Sequence, residues 1–303
     1  MGIGRDTLYR AFRLICERGA ATRKELAALL ETSEVSAGKA AAALIKSELF
    51  SVSKGTVSER KTDVFVPCES KNILLIDACR TNIAFALTPP AARVSKINTI
   101  PHLHRHDIDY NLTVAASDIA KFLDRQNVSP DVVAVTYAPI SEYPIKPLLT
   151  HALEHSGIKA DLMISGSVAA CEFCSSLCAQ GETFAFTQVN DLMWGCVSDS
   201  PNRMLDWRRV KVGNNHGESM GSVLSYDTDP THLLIYFKRF FSAIDSVVSP
   251  DRMFISSSFL PQKMLQKLCL DTNIEDLSAS LPVINGLFSL AKDTLFEKNA
   301  FTD

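Results

Sequence analysis

Between Thr22 and Phe50 the apolar positions recur at helical spacing, stop, and then resume: Leu26, Leu29 and Leu30, then Ala37, Ala41, Leu44 and Ile45. Ser33 stands between the two runs, where a second helix needs a side-chain oxygen for its first free N–H groups. The pattern predicts helix, short turn, helix, with one short helix packed across the other so that the second presents its N-terminal residues outward. Upstream, residues 5 to 18 read as an amphipathic helix with Leu8, Phe12 and Ile15 on one face, Arg5, Arg10, Glu17 and Arg18 largely elsewhere, and a stop near Gly19. After Leu49 the period changes to β-branched alternation (Val52, then Val64 and Val66), with a Lys54-Gly55 bend and a polar tip holding Arg60 and Lys61. That segment reads as a two-stranded wing.

Pro67 to Lys71 reads as a linker, after which strand-like and helix-like stretches alternate. NILLIDACRTNIAFALTP has two apolar runs flanking a polar bend, as in a hairpin. A helix over Leu112 to Arg125, a strand over residues 132–139, a helix over Leu148 to His155 and a short strand running into a helix in DLMISGSVAACEFCSSL follow. Then come a strand-turn-strand over 183–199, an amphipathic helix over 231–247, a strand in RMFISSSFLP and a closing helix in INGLFSLAKDTLF. Such β-then-α alternation places the long C-terminal part in the α/β class.

Composition adds compartment and partner. A hydrophobic fraction of 46% with 21% charged residues over 303 residues is that of a globular chain with room for more than one core. No apolar run approaches the length of a membrane span, and Arg5, Asp6, Arg10 and Arg13 occupy the region where a signal peptide needs an apolar core, so a cytoplasmic protein is expected. Charge is unevenly divided: residues 1–67 carry 11 Lys/Arg against 8 Asp/Glu, leaving 20 against 26 for the remainder. A basic head on an acidic body suits a module that meets phosphate while the rest is repelled. The expected DNA contacts are Arg23, Ser33, Ser36 and Lys39 on the two helices, with Lys54, Arg60 and Lys61 of the wing reaching backbone or minor groove.

Aligned without gaps, TRKELAALLETSEVSAGKAAAALIKSELF resembles the SRAELA…GLS…TVS…LxxxGLV segment of ROK-family repressors. Glu31 and Thr32 replace the usual turn Gly and Leu, Glu34 stands where a basic residue is common, and Gly38 is expected to loosen the second helix. The resemblance spans about residues 8 to 296. It implies an α/β protein with an N-terminal winged helix-turn-helix (1–67) and a two-lobed actin/hexokinase-like (ribonuclease H-like) domain, its lobes being 72–165 and 166–303. A double-stranded DNA operator, a homodimer or higher homo-oligomer and a sugar-like effector are the partners implied.

Kinase chemistry is not implied, because the residues that carry it in the family are replaced. Asp77 and Thr81 survive in DACRT, but Cys79 holds the position of the phosphate-approach glycine. ISGSVAACE is similar to the family's ENDANAAALAE, which puts Ser165 at the sugar-contacting Asn and Gly166 at the Asp that acts as general base; glycine cannot accept a proton. In the second phosphate motif only Gly195 remains, with Val189, Asp191 and Met193 at the other glycines, and Ser256, Ser257 and Ser258 replace the Gly-Gly adenosine turn. No catalytic residue, no cofactor and no enzymatic activity are therefore expected; Asp77, Thr81, Ser165, Gly166 and Glu218 are the expected lining of a ligand cleft. The competing readings are a sugar kinase with a divergent active site and a protein-interaction module.

Three further patterns carry metal or redox chemistry in other settings. Cys171, Cys174 and Cys178 share a helix face, but without a fourth ligand nearby they read as buried small hydrophobes, and the scatter of all eight cysteines fits reduced thiols. The family's His and Cys-rich zinc loop is absent; HGESMG, with His216 and Glu218, is followed by no cysteine cluster, so no metal is expected. His102, His104 and His106 read as a solvated polar face, and Trp207 to Lys211 as a surface strand.

Overall fold

The computed structural model describes residues 4–57, 60–79, 82–91, 93–94, 96–101, 107–138, 145–189, 193–200, 203–207, 230–257 and 260–300. Helix α1 (Arg5–Arg18) stops where its apolar stripe stops: Gly19 takes φ +79° and returns its N–H to the Ile15 carbonyl. A two-residue strand β1 (Ala21–Thr22) leads into α2 (Arg23–Leu29). Thr22 Oγ1 accepts from the Glu25 N–H at 3.2 Å while the Glu25 carboxylate accepts from the Thr22 N–H at 2.7 Å, a reciprocal cap. The turn to α3 (Glu34–Lys46) passes through Glu31 at φ +53°, the left-handed region that favours glycine, so here Glu carries the strain. Ser33 caps α3 by accepting from the Ser36 N–H at 3.2 Å, as the pattern predicts.

The hairpin of β2 (Phe50–Val57) and β3 (Arg60–Pro67) is antiparallel, and β1 joins it in the order β1-β3-β2. Helix α3 runs through Gly38 unbroken. A Cβ at Gly38 would stand 3.1 Å from Arg23 Nε, so the missing side chain makes room for the Arg23 side chain crossing α3.

Beyond the head, β4 (Ile73–Ala78) and β5 (Ile83–Thr88) form the expected hairpin, with β6 (Asn98–Ile100) at its edge. Helix α4 (Ile108–Gln126), strand β7 (Val132–Tyr137), helix α5 (Ile145–His155) and strand β8 (Leu162–Ser165) complete a sheet of order β6-β5-β4-β7-β8 in which β4, β7 and β8 are parallel. Both faces of the central strands are covered, so they are apolar without alternation. Leu74, Ile76, Val133 and Val135 pack under α4 and α5, while Ile73, Leu75, Val132 and Ala134 belong to the core on the opposite face.

The second sheet follows α6 (Gly166–Ser175). It comprises β9 (Phe184–Val189), β10 (Met193–Ser200), β11 (Arg203–Trp207), β12 (Arg252–Ser257) and β13 (Glu275–Asp276), in the order β11-β10-β9-β12-β13. Helices α7 (Pro230–Val248) and α8 (Gln262–Thr272) cover one face through Phe237, Phe241, Leu265 and Leu268, and a 3-10 turn at Ser278–Ser280 precedes the last helix, α9 (Pro282–Asn299). Helices α6 and α9 lie between the sheets and cross closely: a Cβ at Gly286 would fall 1.7 Å from the Ala169 carbonyl oxygen. Although it ends the 166–303 segment, α9 also packs on β4 and β7 of the first sheet. Among the described residues, no helix is long and apolar enough to cross a membrane.

Candidate functional site

The outward face of α3 follows from its inward one. Ala37, Ala40, Ala41 and Leu44 are buried, which leaves Val35, Lys39, Ala42 and Lys46 aligned in one exposed stripe. Val35 is 68% exposed, an apolar side chain with nothing over it inside its own chain. Of the residues expected to contact DNA, Lys39 lies in this stripe and Arg23 is exposed beside it, its side chain running over Gly38. Ser33 spends its hydroxyl on the helix cap and on Ser36 Oγ at 3.0 Å, so both serines first serve the helix start. Lys54 is tied across the hairpin to Asp63, whose carboxyl it holds below the usual range by hydrogen bond and charge. The pair is exposed and screened by solvent, so it contributes little. Arg60 and Lys61 begin β3, but their side chains lie outside the described residues. Val35, Ala42 and Lys46 went unnoticed in the sequence; the anti-phase of the buried alanines was the signal for them.

The head is fastened to the body by α1 lying against α9. Phe12 packs between Phe50 and Phe296, with ring centroids 6.3 and 5.5 Å away, and Tyr9 meets Phe296 edge-on at 5.4 Å. Beside these rings, Arg13 donates to Asp293 Oδ1 at 2.9 Å, to the Ser289 carbonyl at 3.1 Å and to Ser289 Oγ at 3.0 Å. Tyr9 Oη donates to the same Asp293 oxygen at 2.9 Å, and Arg5 pairs with Glu297. Ser289 in turn donates to Glu172 of α6 at 2.7 Å, so one polar chain links α1, α9 and α6. Burial raises the Asp293 carboxyl against the pull of Arg13 and Tyr9, and burial lowers the Lys292 ammonium. Tyr9 is pushed up to about 12, by burial first and Asp293 second.

At the other end of α6 the first sheet brings the expected cleft residues together. Register pairs Asp77 with Thr136 and Ala78 with Tyr137, and pairs Thr136 with Ile164 and Tyr137 with Ser165, so Asp77, Ser165 and Gly166 gather at the carboxyl ends of three parallel strands. That end of a parallel sheet is where open α/β folds place ligands. Asp77 is fully buried, its Oδ1 accepting from the Thr136 hydroxyl and the Cys79 N–H, each at 3.0 Å. Asp77 faces inward and fixes the hairpin bend against β7. Ser165 caps α6, accepting from the Val168 N–H at 3.4 Å, and Gly166 is buried at the first helical position. Cys79 and Val189, at two of the expected phosphate-approach positions, are buried, as is Ser256. Ser257 Oγ accepts from the Leu260 N–H, and the Ser257 N–H donates to Ser278 Oγ, both at 2.9 Å. Thr81, Asp191, Ser258, Glu218, His102, His104, His106, His216 and residues 208–211 lie outside the described residues, as does the side chain of Met193. Among the described residues no group of His, Cys, Asp or Glu has metal-holding geometry.

No protein-family model and no curated protein matches the chain. Among solved structures it is similar to a ROK family transcriptional regulator described as a homolog of the E. coli MLC protein, with 13% identity, 97% of this chain and 98% of that one covered, and a TM-score of 0.60. The chain has that regulator's fold. It is also similar to a ROK family protein from Streptococcus pneumoniae TIGR4 in complex with sucrose, at 12% identity over 75% of this chain and 99% of that one, TM-score 0.48. A third is the ROK hexokinase from Thermus thermophilus, at 13% identity over 73% and 99%, TM-score 0.44.

Proposed function

We propose that the protein is a DNA-binding transcriptional regulator. Residues 1–67 are a winged helix that meets a double-stranded operator with α3, and the lobes 72–165 and 166–303 pair two copies and take a sugar-like effector without phosphoryl transfer. The observation that carries this is the exposed stripe Val35, Lys39, Ala42 and Lys46 on a helix whose start is capped at Ser33 and whose back is packed on α1 and α2. Small Ala42 lets the helix backbone approach, Val35 offers an apolar contact of the kind that meets a thymine methyl, and Lys39 and Lys46 reach phosphate from either end. Arg23, Ser36 and the wing residues Lys54, Arg60 and Lys61 extend the phosphate footprint. One head supplies few such contacts, and two-fold pairing doubles them on a palindromic site.

Absence of turnover rests on chemistry. Gly166 stands where a general base would be required and has no group to accept a proton. Cys79 and Val189 place side chains where phosphate would need backbone, and both are packed into the core. The test is selection of bound duplexes from a random library by the full chain, followed by binding of the selected site across salt concentrations. A palindromic preference with a steep salt slope is expected; uniform binding of all duplexes, or none, overturns the DNA reading. Magnesium-ATP-dependent phosphorylation of a sugar would instead establish the kinase reading.

A further inference from the structure

Gly38 is the least expected residue of α3. A glycine weakens a helix interior relative to alanine, and Ala37, Ala40, Ala41, Ala42 and Ala43 around it show what this helix otherwise uses. Its backbone does not ask for glycine, since it lies within the regular helix and is not among the positive-φ residues. The core does not ask for it either, because Gly38 is half-buried beside the outward stripe. What a side chain there would meet is Arg23. A Cβ would stand 3.1 Å from Arg23 Nε and 3.4 Å from both its Cδ and its Cζ, and no atom of another element lies closer than these three.

Arg23 is itself in a poor place for a structural cation. It opens α2 directly after the Thr22 cap, where the helix dipole opposes positive charge. Thr22 pairs with Val64 of the wing, so the arginine starts at the wing and crosses to α3. Arg23 is exposed, and among the described residues no acceptor takes a hydrogen bond from its guanidinium. Asp63, next to Val64, is engaged by Lys54. With Cδ, Nε and Cζ all close to one point of the helix, the root of the guanidinium lies along the α3 surface, and both Nη atoms are farther from Gly38 than these three.

We infer that Gly38 is a positioning residue for DNA, a seat that holds the Arg23 side chain against α3 so that its two Nη atoms clamp one backbone phosphate beside the groove that α3 enters. The inference rests on the DNA-binding reading proposed above. A phosphate is favoured over a base because the group comes from α2, at the corner between α3 and the wing, and a planar fork of donors matches phosphate oxygens in pairs. An arginine already laid down loses fewer rotamers on binding than one free in solvent. Any side chain at position 38 lifts it from the seat, alanine by a few tenths of an ångström and leucine by more.

The full chain is titrated onto its selected operator across salt as wild type, R23A, G38A, G38L and R23A/G38L. G38L should weaken binding about tenfold, R23A at least as much and G38A less. R23A and G38L should each lower the salt slope by about one per head. The double variant should bind like R23A, since an absent arginine cannot be displaced. In the free chain, NMR relaxation at Arg23 Nε should show a restricted side chain in the wild type and a freely moving one in G38L, with amide exchange along α3 no faster. The inference is overturned if G38L binds as tightly as the wild type, or if it weakens R23A by the same factor as it weakens the wild type, which would mean that the added bulk meets DNA itself. It is overturned equally if R23A shifts the preference at one base pair with the salt slope unchanged, or if Arg23 is as mobile in the wild type as in G38L. A wild type that prefers no duplex defeats the DNA-binding reading before any variant is compared, and the Arg23 relaxation still decides whether the seat exists.

Discussion

Replacing Gly286 by alanine tests the helix crossing on which the body is built. The added Cβ would stand 1.7 Å from the Ala169 carbonyl oxygen, 2.6 Å from its carbon and 3.2 Å from the Phe173 nitrogen, all of them backbone atoms that no rotamer change can move. Reaching an ordinary carbon–oxygen contact of ~3.3 Å requires α6 and α9 to part by roughly 1.6 Å. Overpacking of this kind costs about 3 kcal/mol at the upper end of its usual range. The Ser289–Glu172 hydrogen bond, now 2.7 Å, spans the same pair of helices and would stretch past bonding range. Its loss adds about 1.5 kcal/mol, since its acceptor is charged. A total near 4.5 kcal/mol corresponds to a fall in melting temperature of about 10 °C for a body of this size. Calorimetric melting of wild type and G286A reads it directly. A melting temperature within about 2 °C of wild type would show that the helices do not cross at Ala169.

Other outcomes follow from the same contacts. Ser33→Ala removes the α3 cap and should destabilise the head by about 1 kcal/mol, seen as faster amide exchange at Ser36 and Ala37. Arg13→Met leaves Asp293 and Glu172 without their cation; hydrogen exchange along α1 should rise at least tenfold while the lobes are unchanged, whereas unchanged exchange would mean the aromatic contacts alone hold the head. Cys16, buried and pushed up to about 12 from 9.0, stabilises fully below pH 9, and that stability is lost as pH rises toward 12 because the unfolded chain gives up the proton first. The deficit of C16A against wild type should therefore narrow as pH rises above 9 toward 12; a deficit independent of pH would contradict the burial of this thiol.

Much of the element order was legible because its strands are buried on both faces and open on apolar runs without alternation, as in Ile73–Ile76 and Val132–Val135. Ser33 was legible as a cap because it sits between two helical periods. The Thr22 and Glu25 box was equally readable from its spacing but was overlooked, and α8 was missed because Met264, Leu265 and Leu268 make a short stripe in a polar segment. That the Arg23 side chain crosses α3 at Gly38 could not be read from the sequence, because it depends on the packing of α2 against α3. The head–body junction was invisible for a different reason: Arg13 and Asp293 are 280 residues apart, and each alone is an ordinary surface charge. The inward turn of Asp77 depends on Thr136, brought beside it by strand register alone.

The central claim is that α3 reads DNA, and Lys39 and Lys46 expose it most directly. Equilibrium anisotropy of the full chain on its selected operator, measured across salt for wild type and for K39A/K46A, should show weaker binding and a salt slope reduced by about one per lysine per head. Identical affinity and slope in the double variant, or failure of the wild type to prefer any duplex, would contradict the account.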